Sequence, residues 1–150
     1  MPRLMVVDDF EDIPDLVKVY LTAKPEFKLD TANSGEEALK LLLNKCIDHQ
    51  CYDLIIIDLA MPIMDGYSLA KRIRDLEKQL GWKNAAIIFF TAHAEIARLS
   101  SSILNDLKIA TEHVYNKDNI WKMFEDIIHC FDQKAEKVMA NKVVTSRGRA

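Results

Sequence analysis

Four polar features of this 150-residue chain are of types that could do chemistry together: the pair Asp8-Asp9, then Asp58, Thr91 and Lys117. Each stands at the end of an apolar run. Leu4-Met5-Val6-Val7 stops at Asp8-Asp9, Leu54-Ile55-Ile56-Ile57 at Asp58, and Ala86-Ile87-Ile88-Phe89-Phe90 at Thr91; His113-Val114-Tyr115 is followed closely by Lys117. Three carboxylates held close together repel, and pKa values rise unless something compensates. A divalent cation removes that penalty. Mg²⁺ suits such a set because it takes oxygen ligands, keeps several waters and often shares its site with a phosphate. The Lys117 ammonium could pair with a carboxylate or phosphoryl oxygen, and the Thr91 hydroxyl could hydrogen-bond that oxygen. A carboxylate can itself be a nucleophile that becomes an aspartyl phosphate. Phosphoryl transfer then needs positioning and charge neutralisation more than acid–base chemistry.

For these residues to meet, the chain must carry them to one place. Apolar runs alternate with segments of helical period. Ile13, Leu16, Val17, Tyr20 and Leu21 fall on one face of an amphipathic helix. Residues 27–32 read as a weaker strand. Ser34 predicts an N-cap and Glu37 a capping box, with Ala38, Leu39, Leu42 and Cys46 as the buried stripe of the helix that follows. The Leu54 to Ile57 run reads as a strand buried on both faces. A third helix is predicted from Gly66 to about Leu80, ended by Gly81. A single fourth helix runs through Ile96, Leu99, Ile103, Leu104 and Leu107. The last runs through Ile120, Phe124, Ile127, Ile128 and Phe131 and continues through Ala135 and Val138. The order is (βα)₅: an α/β, doubly wound, five-stranded parallel sheet with helices on both faces. In such a sheet the carboxyl ends of the strands converge on a crevice where ligands bind.

With 49% apolar and 29% charged residues the composition is that of a globular chain, and the length is that of one domain. A net charge of −3 argues against a nucleic-acid binder, which would show a concentrated basic face. Residues 132–150 carry Lys134, Lys137, Lys142, Arg147 and Arg149 against Asp132 and Glu136, leaving the rest acidic. The expected organisation is a domain over 1–131, then a helix extension and a basic tail over 132–150, disordered from about Val143 onward. No apolar stretch approaches the roughly 18 residues of a membrane span, and the N-terminus lacks a signal-peptide pattern. Cys46, Cys51 and Cys130 are odd in number and without a disulfide-framework spacing, so the cytoplasm is the expected compartment. Cys46, His49 and Cys51 lack a fourth ligand for zinc, and Cys46 is expected as a buried thiol. Ser100-Ser101-Ser102 reads as a solvated helix face, and Trp82 and Trp121 as packing residues.

The sequence resembles response-regulator receiver domains of two-component signalling. Val6-Val7-Asp8-Asp9, Thr91-Ala92 and Lys117 match that family's signature set, and residues 58–66 (Asp58, Met61, Pro62, Met64, Asp65 and Gly66) match its D-x-x-M-P-x-M-D-G pattern. The resemblance covers about residues 3–131 and implies a flavodoxin-like fold. It implies that Asp58 accepts a phosphoryl group from a histidine kinase or histidine phosphotransfer protein. Asp9 would bind Mg²⁺ directly and Asp8 through water, with Asp58 and the Ala60 carbonyl completing the protein ligands. Thr91 would hydrogen-bond the phosphoryl group, Lys117 would pair with one of its oxygens, and His93 would tune access of water. The chain would then be a stand-alone, chemotaxis-type regulator, monomeric or dimerising on phosphorylation, binding a protein partner still to be named. It would assist its own phosphorylation and dephosphorylation without being a dedicated enzyme.

Three departures from the family pattern are plain. Asp118 stands where proline usually follows the lysine. Val114 occupies the aromatic switch position, and alternation points Tyr115 to the opposite face. The stretch from Thr91 to Lys117 is long and lacks a Gly-Ala-type turn. The departures at Asp118 and Val114 favour an alternative, a receiver-fold scaffold that is rarely phosphorylated, and the intact Asp8, Asp9, Asp58, Thr91 and Lys117 oppose it. A phosphatase of the haloacid-dehalogenase type would want a second Asp at position 60, where Ala60 stands, and no nucleotide-binding glycine motif occurs.

Overall fold

A computed structural model describes residues 1–22 and 27–147; for Thr22, His93 and residues 134–147 it describes the backbone alone. Five strands, β1 (Arg3–Val7), β2 (Lys28–Ala32), β3 (Leu54–Ile57), β4 (Ala86–Thr91) and β5 (Val114–Asn116), form one parallel sheet in the order β2-β1-β3-β4-β5. The predicted α/β fold is the one observed. The order reverses between β1 and β3, so the chain leaves these neighbours toward opposite sides and a crevice opens at their carboxyl ends. Register decides what meets there. Val7 pairs with both Ala32 and Ile57, and Ile57 with Phe89, so Asp8 and Asp58 leave adjacent strands at the same level.

Burial on both faces explains the unbroken apolar runs of the central strands. Met5, Val7, Ile55, Ile57, Ile87 and Phe89 share one core with α2 (Gly35–Ile47), α3 (Gly66–Leu80) and the short α5 (Ser101–Asp106). The alternate residues Leu4, Val6, Ile56, Ile88 and Phe90 are buried outside that cluster, as are Val17 and Leu21 of α1 (Asp12–Thr22). On α1 the predicted stripe shifts by a fraction of a turn. Pro14 is buried, whereas Leu16 is exposed.

The α2 cap is close to the one expected. Ser34 Oγ accepts the Glu37 N–H at 3.1 Å, while the Glu37 carboxylate takes the Asn33 N–H at 2.9 Å, one residue before the usual capping-box donor. The expected free thiol at Cys46 is corrected, because Cys46 and Cys51 form a disulfide. His49, at φ 59°, turns the chain back between them and brings their Cα atoms to 4.3 Å. The pairing withdraws the cysteine count as grounds for a reducing compartment. Cys130 is a free, exposed thiol.

Tyr52, 4% exposed, donates its hydroxyl hydrogen bond to Asp30 Oδ2 at 2.6 Å, tying the start of β3 to β2. Burial, then the Asp30 carboxylate, push the phenol well above its usual value near 10. An acid whose pKa rises on folding holds its proton better in the native state, so its stabilisation is complete below pH 10 and is lost as pH climbs beyond it. We expect Tyr52→Phe to cost about 1–2 kcal/mol in urea unfolding at neutral pH. The same variant should flatten the decline in stability above pH 10.

The single fourth helix of the sequence prediction is two pieces, α4 (His93–Ile96) and α5. Ser100 is not on a helix face: its side chain accepts the Ile103 N–H at 3.2 Å and starts α5, while Ser101 and Ser102 are exposed. A serine hydroxyl that bonds a backbone N–H three residues on favours a helix start over a helix interior. A 3-10 turn (Thr111–His113) then leads into β5, which starts one residue later than expected. Trp82 packs on the core as expected, and Tyr115 is buried.

Residues Met1–Asp118 form one compact unit, and a second begins at Asn119. The second holds α6 (Ile120–Arg147), with the Trp121 and Phe124 rings edge to face at 6.0 Å and a Lys122–Asp126 pair at 3.0 Å. Trp121 is 59% exposed, which corrects its assignment to packing. The tail expected to be disordered from Val143 is helical through Arg147; residues 148–150 lie outside the described residues. No described helix is long and apolar enough to cross a membrane.

Candidate functional site

Asp8, Asp9, Asp58 and Lys117 stand just past the carboxyl ends of β1, β3 and β5, and Thr91 is the last residue of β4. Short apolar strands stop at these residues because the sheet's interior ends there and the next side chain meets the crevice. Even so, Asp8 is 1% exposed, Asp58 4% and Thr91 0%. Asp9 is exposed. One oxygen from each of Asp8, Asp9 and Asp58 lies within 4.8 Å of the others.

Lys117 lies across the acids. Its Nζ donates to Asp58 Oδ2 at 3.3 Å and sits 3.0 Å from Asp8 Oδ2. The second contact is an ion pair without hydrogen-bond alignment, since Asp8 Oδ2 is buried and has no hydrogen-bond partner. Asp8 Oδ1 accepts the Phe10 N–H at 2.9 Å, and Asp58 Oδ1 has a longer contact of 3.4 Å from the Ala60 N–H. Burial raises the Asp8 pKa; the Phe10 N–H opposes the rise, the Asp58 charge adds to it, and Lys117 opposes it. Burial alone would depress Lys117, but Asp8 and Asp58 outweigh it and raise its pKa, so the ammonium stays charged at neutral pH. The Thr91 Oγ1 is buried with no hydrogen-bond partner. A buried hydroxyl normally finds one.

The donor set fits a small hard cation. All of its atoms are carboxylate oxygens, and one of them, Asp8 Oδ2, is buried without a hydrogen bond. Oxygens around one Mg²⁺ stand roughly 3–4 Å apart, so modest contraction of the three acids would suffice. The side chain of His93 lies outside the described residues.

The loop after Asp58 is held from both ends. Leu59 O accepts the Met61 N–H at 3.2 Å and the Gly66 N–H at 2.9 Å, and Asp65 N-caps α3 by accepting the Ser68 N–H at 2.7 Å. Ile63, at its tip, is 96% exposed with φ 70°. A β-branched residue in the left-handed region carries strain of about 1–3 kcal/mol, and such strain gathers where function constrains the backbone. Sequence reasoning missed this residue, since nothing in its type announces a positive φ. It also missed Asn116, whose Oδ1 accepts the Asp118 N–H at 3.0 Å. An Asn two residues before an amide is a recognised turn signal that could have found it.

Comparison with known proteins agrees with this geometry. The response regulator receiver domain family matches residues 4–125, and the chain belongs to it. Receiver domains are the phosphoacceptor signalling modules of two-component systems. Hybrid signal transduction histidine kinase A of Dictyostelium discoideum is 30% identical over 104 residues, 69% of this chain and 4% of that protein. Response regulator SaeR of Staphylococcus epidermidis is 34% identical over 77 residues, 51% of this chain and 31% of that protein. The chain thus spans less than a third of either relative's length. Among solved structures, response regulator TrrA of Thermotoga maritima, in complex with Mg²⁺ and a beryllium fluoride, is 34% identical. Its TM-score is 0.61, with 86% of this chain and 98% of that chain covered.

Proposed function

We propose that this chain is a response-regulator receiver that accepts a phosphoryl group on Asp58 in a Mg²⁺-dependent reaction. The observation that carries this is the assembled set: two buried acids bridged by one ammonium, an exposed third acid close to them, and a buried, unpartnered hydroxyl at the end of the neighbouring strand β4. Asp8, Asp9, Asp58 and the Ala60 carbonyl would hold Mg²⁺, which supplies charge neutralisation for the incoming phosphoryl oxygens. The Asp58 carboxylate attacks phosphorus, the bond to the donor's imidazole nitrogen breaks, and its electron pair stays on that nitrogen. Lys117 shifts from Asp58 Oδ2 to a phosphoryl oxygen, and Thr91 Oγ1 donates to another. Each group gains a partner it lacks or holds at long range beforehand. A histidine kinase or histidine phosphotransfer protein is the proposed donor and the cytoplasm the proposed compartment. The receiver domain is taken to span 1–131, with 132–150 as an extension, and phosphorylation to alter partner binding or relay the group onward.

Incubation with Mg²⁺ and a small acyl phosphate, followed by intact mass measurement, tests this directly. A single phosphoryl adduct is expected, absent after Mg²⁺ chelation and absent in Asp58→Asn. Failure of the wild-type chain to take up the group from any donor would move the assignment to the scaffold alternative. An adduct that persists in Asp58→Asn would place the acceptor elsewhere.

A further inference from the structure

Lys117 has a long flexible side chain, yet its Nζ must reach two buried carboxylates at once, at 3.0 and 3.3 Å. Such reach depends on where the Lys117 backbone aims the Cα–Cβ bond. No proline ring stiffens the chain after it, because Asp118 follows. What stands there is a hydrogen bond: Asn116 Oδ1 accepts the Asp118 N–H at 3.0 Å. Its two ends are the residues on either side of Lys117, so it closes a small ring through the Lys117 backbone. An Asx turn of this kind restricts the torsions of the bracketed residue. A proline at 118 would have no N–H to give. At its other side Asn116 is anchored in the sheet, paired in register with Thr91 at the end of β4. The bracket therefore starts from a fixed strand end, level with the buried hydroxyl of the site.

We infer that Asn116 is a positioning residue for phosphoryl acceptance, setting the Lys117 ammonium through the Asn116 to Asp118 hydrogen bond. The inference rests on the phosphoacceptor reading above. The role assigned to Asn116 is exerted through Lys117. Losing it loosens the entry to the 3-10 turn Lys117–Asn119 and lowers the fraction of time Nζ spends over the acids, while Asp8, Asp9 and Asp58 keep their places. The expected signature is a slower maximal rate at unchanged Mg²⁺ dependence, because misplacement of a positioned group acts on the transfer step.

The test uses the full chain, Mg²⁺ and acetyl phosphate, with the rate of adduct formation followed by intact mass. Asn116→Ala should slow the maximal rate roughly tenfold, with half-saturating Mg²⁺ unchanged. Asn116→Asp keeps the acceptor oxygen at the same reach but loses the amide donors, and should restore the rate to within about twofold. Asn116→Gln keeps the amide but is one carbon too long to close the turn, and should behave as Ala does; it serves if Asn116→Ala fails to fold. Wild-type rate in both Asn116→Ala and Asn116→Gln overturns the inference. So does a slow Asn116→Asp, which would assign the effect to groups other than the Oδ1 acceptor. A wild-type chain that takes up no phosphoryl group fails the phosphoacceptor reading itself, a result distinct from either of these.

Discussion

Glu77→Ala is expected to cost about 3–5 kcal/mol of folding stability, the largest loss from a residue outside the site. Glu77 is 3% exposed, and each of its oxygens is engaged. Oε1 accepts from Arg74 Nη1 at 2.7 Å, and Oε2 accepts the Ala85 N–H at 2.6 Å. Arg74 also donates from Nη1 to Ala85 O at 2.8 Å and from Nε to Leu107 O at 2.6 Å. The pair thus fastens α3 to the entry of β4 and to the end of α5. Truncation leaves a buried guanidinium without its counter-ion and a buried N–H without an acceptor, and neither can be rehydrated cheaply. Urea unfolding should show the loss as a lower midpoint with little change in slope. Glu77→Gln keeps an acceptor for the Ala85 N–H and should lose clearly less. If Glu77→Ala lost under 1 kcal/mol, the network would be no more than the surface pair its spacing suggests.

Gly66→Ala should be nearly as damaging, and at the site itself. Gly66 opens α3 directly after the acceptor loop, with its N–H bonded to Leu59 O at 2.9 Å. A Cβ there would stand 2.8 Å from Leu59 Cα and closer still to the Asp58 carbonyl oxygen. These are backbone atoms that no side-chain rotation can move away. Either the loop lifts from the helix or the strand end carrying Asp58 shifts. Overpacking against rigid backbone costs about 3 kcal/mol. Displacement of the acceptor by an ångström should slow phosphoryl uptake by a factor on the order of 100. Near-native stability together with an undiminished rate would contradict the close packing described here.

Much of this architecture is legible in the chain. The alternation of apolar runs with helical stripes reports the parallel sheet, because burial over several consecutive residues leaves a period in the sequence. The acids at the ends of β1 and β3 are legible for the same reason, since a carboxylate that ends an apolar strand marks where the interior stops. Ser34 and Gly81 mark helix boundaries through local bonds and torsions, and the structure places caps there.

The set of Asp8, Asp9, Asp58, Thr91 and Lys117 divides along that line. Which residues stand at the strand ends, and which chemistry their types permit, can be read from the chain. Folding adds that Lys117 spans Asp8 and Asp58, that Thr91 keeps a buried hydroxyl without a partner, and that Asn116 brackets the lysine. It also decided that Arg74 and Glu77, an i,i+3 pair resembling many solvent-facing ones, are enclosed, that the fourth helix breaks before Ser100, and that Cys46 meets Cys51. The reason is range. The reach of Lys117, the burial of Thr91 and the enclosure of Arg74 and Glu77 depend on where separate elements come to lie, which no local pattern of residues records. Asn116, Ser100 and the Cys46–Cys51 pair instead act over five residues or fewer, where several local outcomes compete.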